Sequence, residues 1–364
     1  MQKKLIAIAV AAALAPAAAM ADTTVYGRIH ASIDSVTGAT GQAESLFVNS
    51  SSSRFGVKGS EDLGDGLKAL YQLETGVQAV GGTSGDGNGQ APTGTLFSGQ
   101  RDTFIGVAGG FGTFLAGRLP ADNQYVYDSN LFADQIGDAG NFISTNGVGA
   151  GRANGALHYV SPDMSGFNVA LTYLPGTAVA ATALANANTA ATHGKNTYGI
   201  KLNYAAAGVT ASLTYFDVKF VTGTTTTNDR KPLSVAGSYD FGNGMVTAQY
   251  YKAKRDNTAG AVNSQTFYNL GGKFNVSGNS AIKAQYSHAG DDSIVAGEQG
   301  AKMFAIGYDY NFSKRTGMYV AYASVSNDAN ATFRVDNYGH SGTSTAPTAG
   351  NDPHGLSVGL THNF

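Results

Sequence analysis

Phe304-Ala305-Ile306-Gly307-Tyr308-Asp309-Tyr310-Asn311-Phe312 puts an apolar or aromatic side chain at every second position and a small or polar one between. Successive residues of an extended chain point to opposite faces, so the stretch reads as a strand with one lipid-compatible face and one wet face. The same alternation recurs at Phe167, Val169, Leu171 and Tyr173, with Asn168 and Thr172 between them. It returns at Tyr268, Leu270, Gly272 and Phe274, with Asn269 and Lys273 on the other parity. A soluble β-sandwich or jelly roll also alternates, so the pattern alone leaves two all-β architectures open.

The N-terminus bears on the choice. Lys3 and Lys4 precede an apolar run from Leu5 to Ala15 and the small-residue ending Ala19-Met20-Ala21, the layout of a secretory signal peptide with cleavage expected after Ala21. That run is too short to span a bilayer of about 30 Å as an anchor, and no other long apolar run follows, so a membrane-spanning mature chain has to be a barrel. The sequence has no cysteine, which excludes disulfides and thiolate metal sites; a closed hydrogen-bonded wall would hold an exported chain together without them. Without Lys3 and Lys4, the 23 basic residues fall to 21 against 25 acidic ones, a net charge of −4 that offers no basic surface for nucleic acid.

The spacing of turns favours the barrel. Short turns are legible at Gly64-Asp65-Gly66, 109–112, 162–166, 205–208, 241–244, 276–280 and 311–316. Longer polar stretches alternate with them, near 38–52, 78–100, 120–152, 176–194, 221–229, 257–264, 291–299 and 329–354. Short periplasmic turns and long external loops are the rhythm of an outer-membrane barrel, with Tyr (19) and Phe (18) forming the interfacial girdles in the absence of Trp. The segments between Thr23 and Phe364 number about sixteen, an even count that brings both termini to the short-turn side. The expected organisation is a signal peptide over 1–21 and one 16-stranded antiparallel transmembrane barrel over 22–364.

Several stretches resemble the trimeric general porins of Gram-negative bacteria, the β-proteobacterial branch in particular. They are Thr24-Val25-Tyr26-Gly27-Arg28, Ser53-Arg54-Phe55-Gly56-Val57-Lys58-Gly59-Ser60-Glu61-Asp62-Leu63-Gly64, Gly66-Leu67-Lys68-Ala69, Arg101-Asp102-Thr103-Phe104-Ile105-Gly106-Val107, Gly110-Phe111-Gly112-Thr113, Gly117-Arg118-Leu119 and the terminal Phe364. The resemblance implies a homotrimer in outer-membrane lipid and lipopolysaccharide. It also implies delivery to the barrel assembly machinery through a C-terminal strand ending on Phe364, whose preceding alternate residues are His362, Leu360, Val358 and Leu356. It further implies that a third external loop folds into the lumen and sets acidic side chains against a row of wall cations. The segment similar to that loop runs from Pro120 to Gly151, with Asp128, Asp134 and Asp138 as its acidic candidates. Arg28, Arg54, Arg101 and Arg152 match positions of wall cations, and Lys58, Lys68 and Arg118 are further lumen candidates.

Strand parity agrees independently. Val25, Gly27, Ile29, Ala31 and Ile33 form the apolar set of the first strand, which turns Tyr26, Arg28, His30 and Asp34 to the lumen. Phe55 and Val57 likewise turn Arg54 and Lys58 inward. A charge on the lipid face at mid-depth would cost about 2–4 kcal/mol. Adjacent glycines leave the parity of Arg118 open, between the lumen and a subunit contact. Four arginines against two or three aspartates imply a mild anion preference for ions and small hydrophilic solutes.

No catalytic site is expected. The seven histidines (30, 158, 193, 288, 340, 354 and 362) lack ligand spacing, and no nucleophile, base and orienter assemble from neighbouring strands. Asp86-Gly87-Asn88-Gly89 begins like a calcium loop, but Phe97 stands where the closing glutamate belongs. No metal or cofactor is therefore expected. The alternatives are a substrate-specific channel with a tyrosine track (Tyr26, Tyr125, Tyr127), an adhesin or receptor barrel with a plugged lumen, and an outer-membrane lipase or protease.

Overall fold

The computed structural model describes residues 22–37, 45–80, 97–120, 128–143, 152–176, 196–219, 221–222, 226–227, 229–256, 262–293, 297–336, 338, 340 and 347–364. The expected signal peptide, the Asp86 to Gly89 stretch, Tyr125, Tyr127 and both ends of the third external loop lie outside the described residues.

The strands are β1 (Asp22–Val36), β2 (Ser45–Ser50), β3 (Arg54–Gly64), β4 (Leu67–Val77), β5 (Phe97–Gln100), β6 (Thr103–Gly109), β7 (Gly112–Pro120), β8 (Arg152–Val160), β9 (Phe167–Leu174) and β10 (Thr197–Ala206). They continue as β11 (Val209–Asp217), β12 (Val221–Thr222), β13 (Thr226–Thr227), β14 (Leu233–Asp240), β15 (Gly244–Asp256), β16 (Val262–Ser277), β17 (Ser280–Ala289), β18 (Ala301–Asn311), β19 (Thr316–Asn327) and β20 (His354–Asn363). β12 and β13 form a small hairpin in an external connection. β2 and β3 pair with the same strand, β1, and β5 and β6 both pair with β4, so each of these couples is one wall strand with a break. The result is a closed 16-stranded antiparallel barrel in which every sequential neighbour pairs, as the sequence predicts.

Closure is made by β1 against β20, in register from Arg28↔Asn363 to Val36↔Gly355. Gly27 and Phe364 exchange backbone hydrogen bonds of 3.1 Å in both directions at the last rung. A Cβ on Gly27 would lie 2.3 Å from the Phe364 ring, so the missing side chain is what lets the terminal aromatic lie across β1.

The seven short turns fall where the sequence places them. In the first, Gly64, Asp65 and Gly66 take φ values of 84°, 52° and 77°, the left-handed region that glycine enters without steric cost. At this end of the barrel the aromatic side chains stack into a band, with centroid separations of 4.6 Å for Phe114 and Tyr159, 4.5 Å for Phe167 and Tyr204, and 5.2 Å for Tyr310 and Phe312. Such a girdle suits the membrane interface, where an aromatic ring keeps one end apolar and the other wet.

Burial is inverted relative to a soluble protein. Leu270 is 52% exposed on the outer face while its neighbour Asn269 is 3% exposed, and Ile306 is 43% exposed beside Ala305 at 1%. The apolar core lies inside the barrel, where Phe132, Ile136, Phe142 and Ile143 of the infolded connection after β7 pack on Ala253, Ala289, Met303, Ala305, Ala321 and Ala323 of the inner wall. Small wall residues there make room for the loop. One helical turn, Gly140–Ile143, ends the described part of that loop.

Ile306→Arg, which sets a charge on the outer face midway along β18, is expected to lower folding stability by about 2–4 kcal/mol, read by denaturant titration in lipid vesicles.

Candidate pore constriction

The infolded loop meets the wall through a small set of polar contacts. Arg28 Nη1 donates to Asp134 Oδ2 at 2.9 Å, bridging β1 and the loop, and Ser52 Oγ donates to the other oxygen, Oδ1, at 2.8 Å. Both charged side chains are about a fifth exposed, so the pair borders the aqueous lumen. Asp134 holds a left-handed φ of 62°, an uncommon conformation for a residue with a side chain, and its surroundings must hold it there.

The remaining arginines are paired along the wall. Arg54 stands directly opposite Arg28 in the β1–β3 register, a like-charge rung that is unfavourable by itself. Glu74 on β4 relieves it: its carboxylate accepts from Arg101 Nε at 2.5 Å and Tyr26 Oη at 2.8 Å, and lies 3.9 Å from Arg54 Nε. Arg152, at the start of β8, donates to Asp102. The row therefore comprises four arginines with three carboxylates among them, Asp134, Glu74 and Asp102.

The expected facing of all four arginines to Asp134 and Asp138 differs from this arrangement. Of the four, Arg28 alone bonds Asp134, and Asp138 turns away from the lumen because the loop's own amides occupy it. Its Oδ2 accepts from Asp134 N at 2.9 Å, and its Oδ1 from Gly140 N at 2.7 Å and Asn130 Nδ2 at 2.5 Å. Burial pushes the Asp138 carboxyl up to about 7, its backbone donors working in the opposite direction. Asp138 shapes the loop, and its charge does not face the lumen. Asp128, on the loop, meets the opposite wall, where Lys201 Nζ is 2.5 Å from its carboxylate and Ser212 Oγ donates at 2.7 Å.

The additional lumen candidates divide. Lys58 shares the parity of Arg54, with its Nζ 5.0 Å from the Tyr26 ring centroid. Lys68 shares the parity of Glu74 near the short-turn end and is exposed. Arg118 sits at a register shift between Gly117 and Leu119 and donates to Asn154 Oδ1 at 2.8 Å in an exposed contact, while Leu119 is buried against Ala153, Ala156 and Leu174. That places Arg118 on the face opposite the buried Leu119.

Sequence reasoning missed Glu74, Asp102, Lys201 and the Lys283 cluster. Lys283 Nζ lies 3.0 Å from both Asp309 Oδ1 and Gln135 Oε1, and 4.7 Å from the Phe132 ring centroid, tying the loop to β17 and β18. Glu74 was recoverable, since exposed Leu73 fixes its inward parity. Asp309 stood on the wet parity of the deciding stretch. The pairing of Asp128 with Lys201 had no signal, because their approach depends on how the loop crosses the lumen.

Toward the short turns, a cavity of about 840 Å³ continues from this narrowing, lined by Arg28, Gln135, Lys273, Asp309, Tyr319 and neighbours. Among the described residues no three His, Cys, Asp or Glu side chains converge to hold a metal ion.

A family model described as Gram-negative porin matches residues 7–330. The chain belongs to the Gram-negative porin family. Family membership places this porin in the outer membrane. The major outer membrane protein P.IB of Neisseria gonorrhoeae is 37% identical over 185 residues, covering 48% of this chain and 49% of that protein. The match thus spans about half the length of the curated relatives. The anion-selective porin from Comamonas acidovorans superposes with a TM-score of 0.79 at 26% identity, covering 94% of this chain and 100% of that one. The trimer form of OmpT from Vibrio cholerae gives 0.69 at 14% identity over 94% and 99%, a likeness of fold.

Glu74→Gln removes the charge shared by Arg54 and Arg101. It is expected to cost about 1–3 kcal/mol of stability, measured by denaturant titration, and to shift the zero-current potential in a salt gradient toward anions.

Proposed function

We propose that this porin is a general diffusion channel through which ions and small hydrophilic solutes pass down their gradients, with a mild preference for anions. The observation that carries the reading is the Arg28–Asp134 contact, which joins the wall cations to a loop lying inside the barrel. Opposed charges across a narrow aqueous slot create a transverse field that orients dipolar solutes, and rings of charged side chains set ion preference. A greasy solute gains nothing there in exchange for the ordered water it displaces. The four arginines, Arg28, Arg54, Arg101 and Arg152, outnumber the three carboxylates among them by one, which gives the slot its anion preference. The Comamonas relative named as anion-selective supports the same sign. Permeation of this kind requires no catalysis, and family relatives are channels.

The working unit is a homotrimer, a reading supported by the family and by the trimer form of the Vibrio barrel. Cleavage of the signal peptide after Ala21 would leave Asp22, the first residue of β1, as the mature N-terminus. Phe364, outward-facing at the closing rung, is suited to recognition by the barrel assembly machinery, and the outer rim to contact with lipopolysaccharide.

Reconstitution in planar bilayers tests the proposal. Steps of reproducible size and a mild anion preference are expected. Asp134→Asn should strengthen that preference and Arg152→Ala weaken it. Absence of conductance would indicate a plugged barrel, a clear cation preference would refute the sign, and insensitivity to both substitutions would remove the constriction from this loop.

A further inference from the structure

The charged row does not explain what fixes Asp134 in its left-handed conformation. The connection between β19 and β20 supplies the answer. His340 in that connection is fully buried. Its Nδ1 lies 3.1 Å from the backbone oxygen of Asp134 and 3.2 Å from Ser51 Oγ, and its Nε2 lies 3.0 Å from Asp34 Oδ2 on β1. The Asp34 contact is a charge pair lying off the ring's hydrogen-bond axis.

A carbonyl and a carboxylate can only accept, and neutral imidazole has one N–H to give. Facing both at once, the doubly protonated ring gives an N–H to the carbonyl and sets its positive charge against the carboxylate. The same connection grips the infolded loop elsewhere: Gly137 N and Asn141 Nδ2 donate to Val335 O at 2.8 and 2.7 Å, and Tyr338 N donates to Asn141 Oδ1 at 2.6 Å. The Phe142 and Phe333 rings pack 4.6 Å apart.

We propose that His340 is a positioning residue of the constriction, a cationic staple that ties the Asp134 backbone to the wall carboxylate Asp34 and so holds the Asp134 side chain opposite Arg28. The role rests on the pore reading, because it acts through Asp134. The charged and titratable groups around the ring are Asp34 and His30 on β1, Asp336 on its own connection and Asp134 on the infolded loop, with Arg28 beyond Asp134. Burial works against the charged ring, but the Asp34 and Asp134 contacts outweigh it and raise its pKa above the ordinary histidine value. A raised pKa means the staple is fully present below the free-histidine range and is released as pH climbs through the ring's own value.

The test is the chloride-to-potassium permeability ratio of the bilayer-reconstituted protein between about pH 5 and 9, compared for wild type, His340→Gln and Asp34→Asn. Wild type is expected to show a step toward greater anion preference as pH rises, when Asp134 is let go. His340→Gln should lose that step and hold the high-pH ratio throughout, and Asp34→Asn should move it to lower pH. Asp138, whose charge does not face the lumen, is common to all three, so the staple is read from the differences between them. A His340→Gln profile superimposed on the wild type overturns the proposal, and a flat wild-type profile overturns it even where a variant fails to fold. Absence of channels in the wild type would instead strike the pore reading.

Discussion

Every backbone N–H and C=O inside a bilayer must find a partner in the protein, because hydrocarbon supplies none. Where the described residues hold no long apolar helix, the one solution is a sheet with no edges, and the β1–β20 ladder is where this sheet loses its last two. Much else follows from that ladder. With the wall closed, strand parity turns residues such as Leu270 and Ile306 outward and Arg28 and Arg54 inward. The ladder also brings Gly27 and Phe364 together, so the terminal aromatic serves both closure and the interfacial girdle. The small inner-wall residues on β15 to β19 become a seat for the infolded loop because closure puts them inside.

The electrostatics of the lumen are a consequence of the same registry. Arg28 and Arg54 are cross-strand neighbours whose repulsion has no intrinsic remedy within β1 and β3. Glu74 on the next strand and Asp134 on the loop supply it from either side. Loop position and wall charge are thus coupled: a carboxylate carried by the infolded loop neutralises part of the row. Asp138, expected to share that task, instead caps amides of its own loop, that of Asp134 among them. Two lysines secure the loop at other points of the wall, Lys201 by an ion pair of 2.5 Å with Asp128 and Lys283 by a hydrogen bond of 3.0 Å to Gln135.

The fold was legible because it is written in local features. Period-two alternation gives each strand its face, and Gly64-Asp65-Gly66 and its six counterparts give the turns. The inward parity of Arg28 and Arg54 was legible in the same way, since Val25 and Phe55 take the outer face. What could not be read was partner choice. Whether Arg101 meets Asp134 or Glu74 depends on how far the loop descends into the lumen, and that depends on packing between Phe132 or Phe142 and alanines more than a hundred residues away. Likewise, His340 looked like one more scattered histidine, because its neighbours Asp34 and Asp134 are distant in sequence and meet it only after closure.

A loop that carries Asp134 across the water path must obstruct current when a bulky group is added to it. Ala133, its exposed residue beside Asp134, offers the direct measurement, because the chain has no native cysteine to confuse the readout. In Ala133→Cys channels, reaction with a bulky thiol reagent should reduce single-channel current stepwise while the barrel stays folded. Complete labelling without any change in current would contradict the account.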